Sequence, residues 1–312
     1  MALPHGTMVP IGGTRGTIIG SNAVCALSMI VWAAGFPAAD FLLQTWDPLA
    51  LIAVRFALAT LILVPVWMLL EGPRAFLDAR WGRGTIVGGI GFGLGAYLFL
   101  LGQSVSDAVT VSIVASAMPA IGAVFEVVLD GRKLRPAFVL GIALAVLGGL
   151  VATGAVSDRG STGLGAALAL VSVVFFAWGS RAAVREFPEL STIGQTTITL
   201  GGGAIFLVLI LLAALGLGWA GTVAVPVNAT QVVYLVYFAL GAMALSQLFW
   251  IMGVGRLGVA LAAIHINAVP FYVMLLIVAS GGSWNGMQAL GALLVGLGVV
   301  VAQHRTRRAD VI

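Results

Sequence analysis

Residues 112–129 read SIVASAMPAIGAVFEVVL, and residues 261–278 read LAAIHINAVPFYVMLLIV. Both are apolar runs broken near the middle by a proline, Pro119 and Pro270, which lie 151 positions apart. Proline lacks a backbone N–H and clashes with the preceding turn, so a soluble helix of this length rarely carries one. Kinks of this kind are common in membrane helices. The two runs therefore pose the question of class and of internal duplication together.

Composition answers the first part. The chain of 312 residues is 61% hydrophobic and 8% charged, against about 25% charged in a soluble domain. Too few polar groups exist to cover a surface in water, so lipid is the natural solvent. A bilayer core requires about 20 apolar residues per helix. Ten such runs occur, at 18–39, 48–70, 84–104, 107–129, 136–154, 162–184, 193–217, 229–254, 258–280 and 286–303. Backbone groups in hydrocarbon must pair within the segment, so the runs are read as helices. The longest charged connection, Glu71 to Arg83, is too short for a soluble domain. The expectation is an all-α integral membrane protein with ten transmembrane helices.

Basic residues gather in alternate connections: Arg74, Arg80 and Arg83; Arg132, Lys133 and Arg135; Arg181 and Arg185; Arg256; and Arg305, Arg307 and Arg308. The other connections hold Asp40, Asp47, Asp107 and Asp158 with the single arginine Arg159. The positive-inside rule makes the first set cytoplasmic, with both termini on that side. The pI thus reports topology, and no nucleic-acid partner is implied. Residues 18–34 are read as an uncleaved first helix, because their removal would break the repeat described next. The single cysteine, Cys25, excludes an internal disulfide framework and a thiolate metal cluster; it is read as a packing residue. No metal or cofactor is expected.

The prolines are not the only features that recur. Gly102 pairs with Gly253 at the same offset of 151, and Gly141 and Gly148 pair with Gly291 and Gly298 at 150. VWAAGFPAA (31–39) parallels FFAWGSRAA (175–183) at 144. Each half carries five runs, and five is odd, so the second half enters the membrane upside down. The expected organisation is a tail (1–17), a first repeat (18–154), a second repeat (162–303) and a tail (304–312), both tails cytoplasmic. Inverted repeats of this kind place a substrate site at their interface near the midplane of secondary transporters.

The Trp-x-x-Gly of Trp32 and Gly35, the helix proline Pro119 and the spaced glycine pairs together resemble the drug/metabolite transporter superfamily. Over about residues 18–303 the chain is similar to its ten-helix, EamA-type metabolite exporters, and most of all to amino-acid exporters of the YddG kind. That resemblance implies a cavity lined by the first, third, fourth, sixth, eighth and ninth helices, with the fifth and tenth set apart. The chain departs from the family at a Glu-Arg pair expected after the fourth and ninth helices. Here DGRKL and SGGSW stand in those places.

Polar side chains within a span normally face the bundle interior. Ser112, Ser116 and Pro119 share one face of the fourth helix, and Ala263, Asn267 and Pro270 are their counterparts. Ser116 and Asn267 would face each other, and each proline frees a carbonyl around Ala115 or Ile266. Alternatively, the serines bond back to their own helix and the prolines only bend it. His265 either titrates near neutrality or is a hydrogen-bonded packing residue. Gln247, Trp250, Trp32, Trp178, Tyr97 and Tyr272 complete a mixed polar and aromatic candidate set, unless the aromatics are interface anchors. Gly91 and Gly95, with Gly141, Gly148, Gly291 and Gly298, are read as helix-packing positions. Arg55 is read as paired with Asp40 or Asp47, the other choice being a seat for a substrate carboxylate.

These features point to a secondary transporter of the bacterial inner membrane, exporting amino acids or related amphiphiles by alternating access as a monomer or weak dimer. Pro119 and Pro270 mark the gating kinks. No acidic residue is placed at mid-depth, so export is expected to run downhill or with weak proton coupling through His265. A channel would show charged rings or a backbone filter. An enzyme would show paired carboxylates, a Ser–His–acid set or metal ligands. Neither pattern is present in the sequence. The sequon Asn228-Ala229-Thr230 falls in an outer connection and matters only in a glycosylating host.

Overall fold

The computed structural model describes residues 15–130, 136–152, 160–218 and 228–303, and the described residues contain helix and no strand. Seven helical segments are long and apolar enough to cross a membrane. They are α1 (Gly20–Leu43), α2 (Pro48–Glu71), α3 (Trp81–Val105), α4 (Ala108–Leu129), α6 (Gly163–Glu186), α7 (Thr192–Gly216) and α8 (Ala229–Leu257). The remaining three apolar runs also form helix over shorter described lengths. These are α5 (Pro136–Ala152), α9 and α10 (Gly286–Gln303). Helix α9 is composite: Val259–Ala262, a 3₁₀ stretch Ala263–Ala268, and Val269–Ala279. The protein is a multi-pass membrane protein, helical throughout the spans among its described residues. The tails expected at 1–17 and 304–312 lie almost wholly outside the described residues, as do Arg132, Lys133, Arg135, Asp158 and Arg159.

Side-chain caps start the helices where the sequence supplies acceptors. Asp47 accepts from Leu49 N at 2.8 Å and Ala50 N at 3.1 Å, with Pro48 in the first turn. Ser191, 144 positions later, caps α7 through Gly194 N at 3.2 Å. Asp107 caps α4 and Asn228 caps α8 in the same way. Each cap satisfies a donor that the helix itself leaves orphaned.

Among the described residues α1 is interrupted at Ala34, and four further helices depart from regular α geometry. Helix α4 breaks at Ser116–Ala117, where both N–H groups turn to carbonyls three residues back, Ile113 O and Val114 O at 3.0 Å. The 3₁₀ stretch of α9 is its counterpart, and both breaks sit at the prolines. The other two departures have no sequence expectation behind them. Residues Val87–Leu94 of α3 and Tyr237–Leu245 of α8 are π-helical, and they begin 150 positions apart.

The interior is apolar, as in a soluble bundle, but the outer surface is apolar too. Leu69, Val128 and Leu209 stand on the outer surface, at 85, 71 and 61% exposure. Inward faces hold small residues and hydroxyls, such as Ala59, Ser180, Thr196 and Thr199. Apolar association gains little from lipid, so close approach of small residues does the work. Helix α3 packs on α6 and α1 on α8. The π stretch of α3 packs on α7, that of α8 on α2, and α5 packs on α10. At the α3–α6 crossing a Cβ on Gly91 would lie 2.5 Å from Gly179 Cα. At the α1–α8 crossing a Cβ on Gly35 would lie 2.5 Å from Ala242 Cβ. A Cβ on Gly148 would lie 2.7 Å from Gly291 O, which puts these two sequence-selected glycines at the α5–α10 contact. Gly95 makes only ordinary contacts, and Gly141 and Gly298 are buried in α5 and α10.

Candidate functional site

A cavity of about 110 Å³ lies between α1, α2, α3, α4, α6, α7, α8 and α9. Among the described residues neither α5 nor α10 contributes to the lining. The sequence expectation did not include α2 and α7, which add Arg55, Phe56 and Leu200 to the wall. They enter because the π stretches of α3 and α8 pack directly on them.

Two aromatic pairs form the walls. Trp32 of α1 meets Phe99 of α3 with ring centroids 5.9 Å apart and planes tilted by 36°. Phe176 of α6 meets Trp250 of α8 at 5.9 Å and 36°. Phe176 follows Trp32 by 144 positions and Trp250 follows Phe99 by 151, so the two pairs are equivalents under the sequence offsets. Phe36 and Phe92 extend them edge-on, at 5.1 Å from Trp32 and 5.3 Å from Phe176. Such rings favour flat or branched apolar groups between them. Trp250 is buried, with its indole N–H donated to Ser180 Oγ at 2.9 Å.

Polar groups enter at few places. Ser28 and Ser172, again 144 apart, both line the cavity, and Ser28 Oγ donates to Ser246 O at 2.7 Å. Gln103 donates from Nε2 to Phe36 O at 2.9 Å and to Asp40 Oδ1 at 2.7 Å. Gln247 is 7% exposed, and its Nε2 has no hydrogen-bond partner among the described residues.

Arg55 corrects the sequence expectation. It pairs with neither Asp40, which takes the Gln103 amide, nor Asp47, which caps α2. Instead Nε donates to Phe238 O at 2.8 Å and Nη2 to Ala242 O at 2.9 Å. The guanidinium carbon sits 3.6 Å above the Phe238 ring centroid. Both carbonyls belong to the π stretch of α8, where the change from i→i+4 to i→i+5 pairing displaces backbone oxygens from the regular ladder. A cation over an aromatic face gains electrostatically.

Of the residues selected from sequence, Trp32, Gln247 and Trp250 line the cavity. Ser112 and Ser116 are buried but bond back to their own helix, Ser112 Oγ to Val109 O at 2.7 Å and Ser116 Oγ to Ser112 O at 3.3 Å. Their neighbours Ala115 and Met118 form the wall instead. Asn267 is half-buried with Oδ1 unpartnered, and Ile266 beside it lines the cavity. The Ile266 carbonyl expected to be free accepts the Val269 N–H. His265 shares a hydrogen bond of 3.1 Å between Nδ1 and Ala262 O and does not line the cavity. Tyr97 and Tyr272 pack half-buried against the main core. Trp178 packs in a separate cluster with Val87, Ala182, Phe187 and Ile198. Pro119 and Pro270 flank the cavity through Met118 and Ile266.

Sequence reading missed Phe99, Phe176, Ser28, Ser172 and Gln103. The offsets themselves lead from selected residues to two of these and join Ser28 to Ser172. Adding 144 to Trp32 gives Phe176, adding 144 to Ser28 gives Ser172, and subtracting 151 from Trp250 gives Phe99. Among the described residues no cluster of histidine, cysteine and carboxylate has the makings of a metal site.

Comparison with known proteins agrees with the fold. A solved crystal structure of a protein superposes with a TM-score of 0.70 over 94% of this chain and 99% of its own, at 20% identity, which bears on fold alone. The uncharacterized transporter YrdR of Bacillus subtilis (strain 168) is 26% identical over 95% of both chains. The uncharacterized transporter YyaM of the same organism is 25% identical over 86% of this chain and 88% of its own. Residues 21–154 match the EamA-like transporter family, so the first half of the chain carries the signature of a membrane transporter.

Proposed function

We propose that this protein is a secondary transporter that exports small amphiphilic metabolites, amino acids with apolar or aromatic side chains foremost, across the bacterial inner membrane. Its two halves act as inverted five-helix repeats of a ten-span bundle with cytoplasmic termini. The observation that carries this reading is the pair of equivalent aromatic contacts, Trp32–Phe99 and Phe176–Trp250, on one cavity. Two halves that can exchange shapes convert an opening on one side into an opening on the other. The breaks at Ser116–Ala117 and Ala263–Ala268 give α4 and α9 the bending points for that exchange. A monomer contains the whole cavity.

Proteoliposomes loaded with a labelled aromatic amino acid provide the test, with aromatic, aliphatic and charged amino acids, sugars and cationic drugs as competitors. Apolar and aromatic amino acids are expected to compete and sugars to fail. Equal competition by every solute, or conductance without saturation, would replace the transporter with a channel. Counterflow with and without a pH gradient separates downhill export, the expected result, from obligatory proton coupling.

A further inference from the structure

We infer that Arg55 is the anion seat of the cavity and that the transported class is defined by a carboxylate on an apolar or aromatic body, with no requirement for an ammonium group. This rests on the transporter reading above and narrows its substrate class. A second, independent observation points the same way, the unpartnered amide nitrogen of Gln247 on the same wall.

The reasoning starts from charge. Arg55 is 8% exposed, within a span, and lines the cavity. A charged side chain at such a place is normally paired or faces an aqueous path. The ion pairs among the described residues, Arg80–Glu189 and Arg83–Glu186, do not involve it. Its described hydrogen bonds run from Nε and Nη2 to neutral carbonyls, which orient the fork without cancelling its charge. Nη1 is left without a bond among the described residues. A planar guanidinium held on one edge and covered on one face by Phe238 presents its other donors in fixed geometry, the arrangement that suits a carboxylate.

The rest of the lining decides between a simple anion and a zwitterion. Arg55 is the only charged residue among the described residues of the wall. An ammonium entering with the carboxylate would meet no described carboxylate on the wall itself, since Asp40 lies behind Gln103 and takes its amide. Losing water without a counter-charge penalises it.

The test compares ligands that share a phenyl body and differ in charge: 3-phenylpropionate, phenylalanine, phenylalanine amide and phenethylamine. Thermal stabilisation of the detergent-purified protein reads binding, and competition in proteoliposomes reads transport. The expected order puts 3-phenylpropionate at or above phenylalanine, with the amide and the amine at least about tenfold weaker. Arg55→Lys is expected to reduce the carboxylate-to-amide preference several-fold while the protein stays folded, because ammonium lacks the planar fork. Arg55→Met should abolish the preference. Equal stabilisation by 3-phenylpropionate and phenethylamine in the wild-type protein overturns the anion seat without reference to any variant. A preference unchanged in Arg55→Lys and Gln247→Leu alike overturns it too. If the carboxylates stabilise the protein but nothing crosses the membrane, the anion seat stands and the transporter reading falls.

Discussion

Trp250 donates its indole N–H to Ser180 Oγ across 2.9 Å, with both side chains almost fully buried. The bond fixes one wall of the cavity, because the same indole ring carries the contact with Phe176. Ser180→Ala leaves a buried donor without an acceptor, at a cost of about 1–3 kcal/mol. Trp250→Phe removes the donor and keeps most of the ring. Thermal unfolding in detergent is expected to show Ser180→Ala clearly destabilised in wild-type background and nearly silent when added to Trp250→Phe. Additive effects of the two substitutions would mean that the bond carries no coupling.

The crossing of α3 on α6 permits almost no added volume. Gly91 faces Gly179 backbone to backbone, and a methyl group on Gly91 would sit 2.5 Å from Gly179 Cα. Backbone at this distance cannot rotate away as a side chain can, so the helices must separate. Overpacking of this kind costs about 1–3 kcal/mol. Gly91→Ala is expected to lower the monodisperse fraction after extraction in mild detergent. Gly95→Ala, one turn along with its nearest neighbours at 3.4 Å, should resemble wild type, as should Gly163→Ala, which has nothing within 4 Å.

Class and periodicity were legible because they are summed signals. Hydrophobic runs place the helices wherever the described residues extend, and the prolines of 112–129 and 261–278 mark the breaks in α4 and α9. The π stretches were not legible, since VGGIGFGL and YFALGAMAL read as ordinary membrane helix. Their effect was the largest error at the site. The stretch in α8 holds Phe238 and Ala242, whose carbonyls take the Arg55 guanidinium that the sequence joined to nearby aspartates. The serines of α4 illustrate a second limit. Helical spacing puts Ser112 and Ser116 on one face, but whether a hydroxyl turns inward or back to its own carbonyl is decided by rotamers and neighbours. Phe99 and Phe176 stood unremarked among the many phenylalanines until paired through the offsets with Trp250 and Trp32.

Cys25 supplies a reporter of the α1–α8 contact. It is fully buried, and a Cβ on Gly253 would lie 2.3 Å from its Sγ. The equivalent contact on the other side sets Gly102 against α6, where a Cβ would lie 2.8 Å from Gly165 O and 3.3 Å from Ala169 N. Gly253→Ala is therefore expected to destabilise the protein, and Cys25→Ala to restore part of the loss by vacating that space. In wild type, a maleimide should label Cys25 only as the protein unfolds. Rapid labelling under native conditions would contradict the buried contact.

One end of the bundle is tied by charge and the other by neutral groups. Arg80 pairs with Glu189 and Arg83 with Glu186, each at 2.8 Å. The offsets carry Glu189 back to Thr45 and Arg80 forward to Gln231, and those two residues also meet, with Gln231 Nε2 donating to Thr45 Oγ1 at 3.0 Å. The carboxyl of Glu189 is held below its usual range by its own backbone N–H and then by Arg80. A depressed carboxylate stabilises the closed contact above its unfolded-state pKa and loses that contribution as pH falls through its folded-state value. Both pairs are about half exposed, so each contributes at most about 1 kcal/mol and is weakened by salt. Cysteines introduced beside the two ends, read by labelling rate, separate them. Raising salt or lowering pH below the carboxylate range is expected to speed labelling at the Arg80–Glu189 end and leave the Thr45–Gln231 end unchanged. Arg80→Gln should reproduce the effect at neutral pH, and Arg80→Glu with Glu189→Arg should reverse it. Equal response at both ends would show that the ion pairs do not hold that face closed.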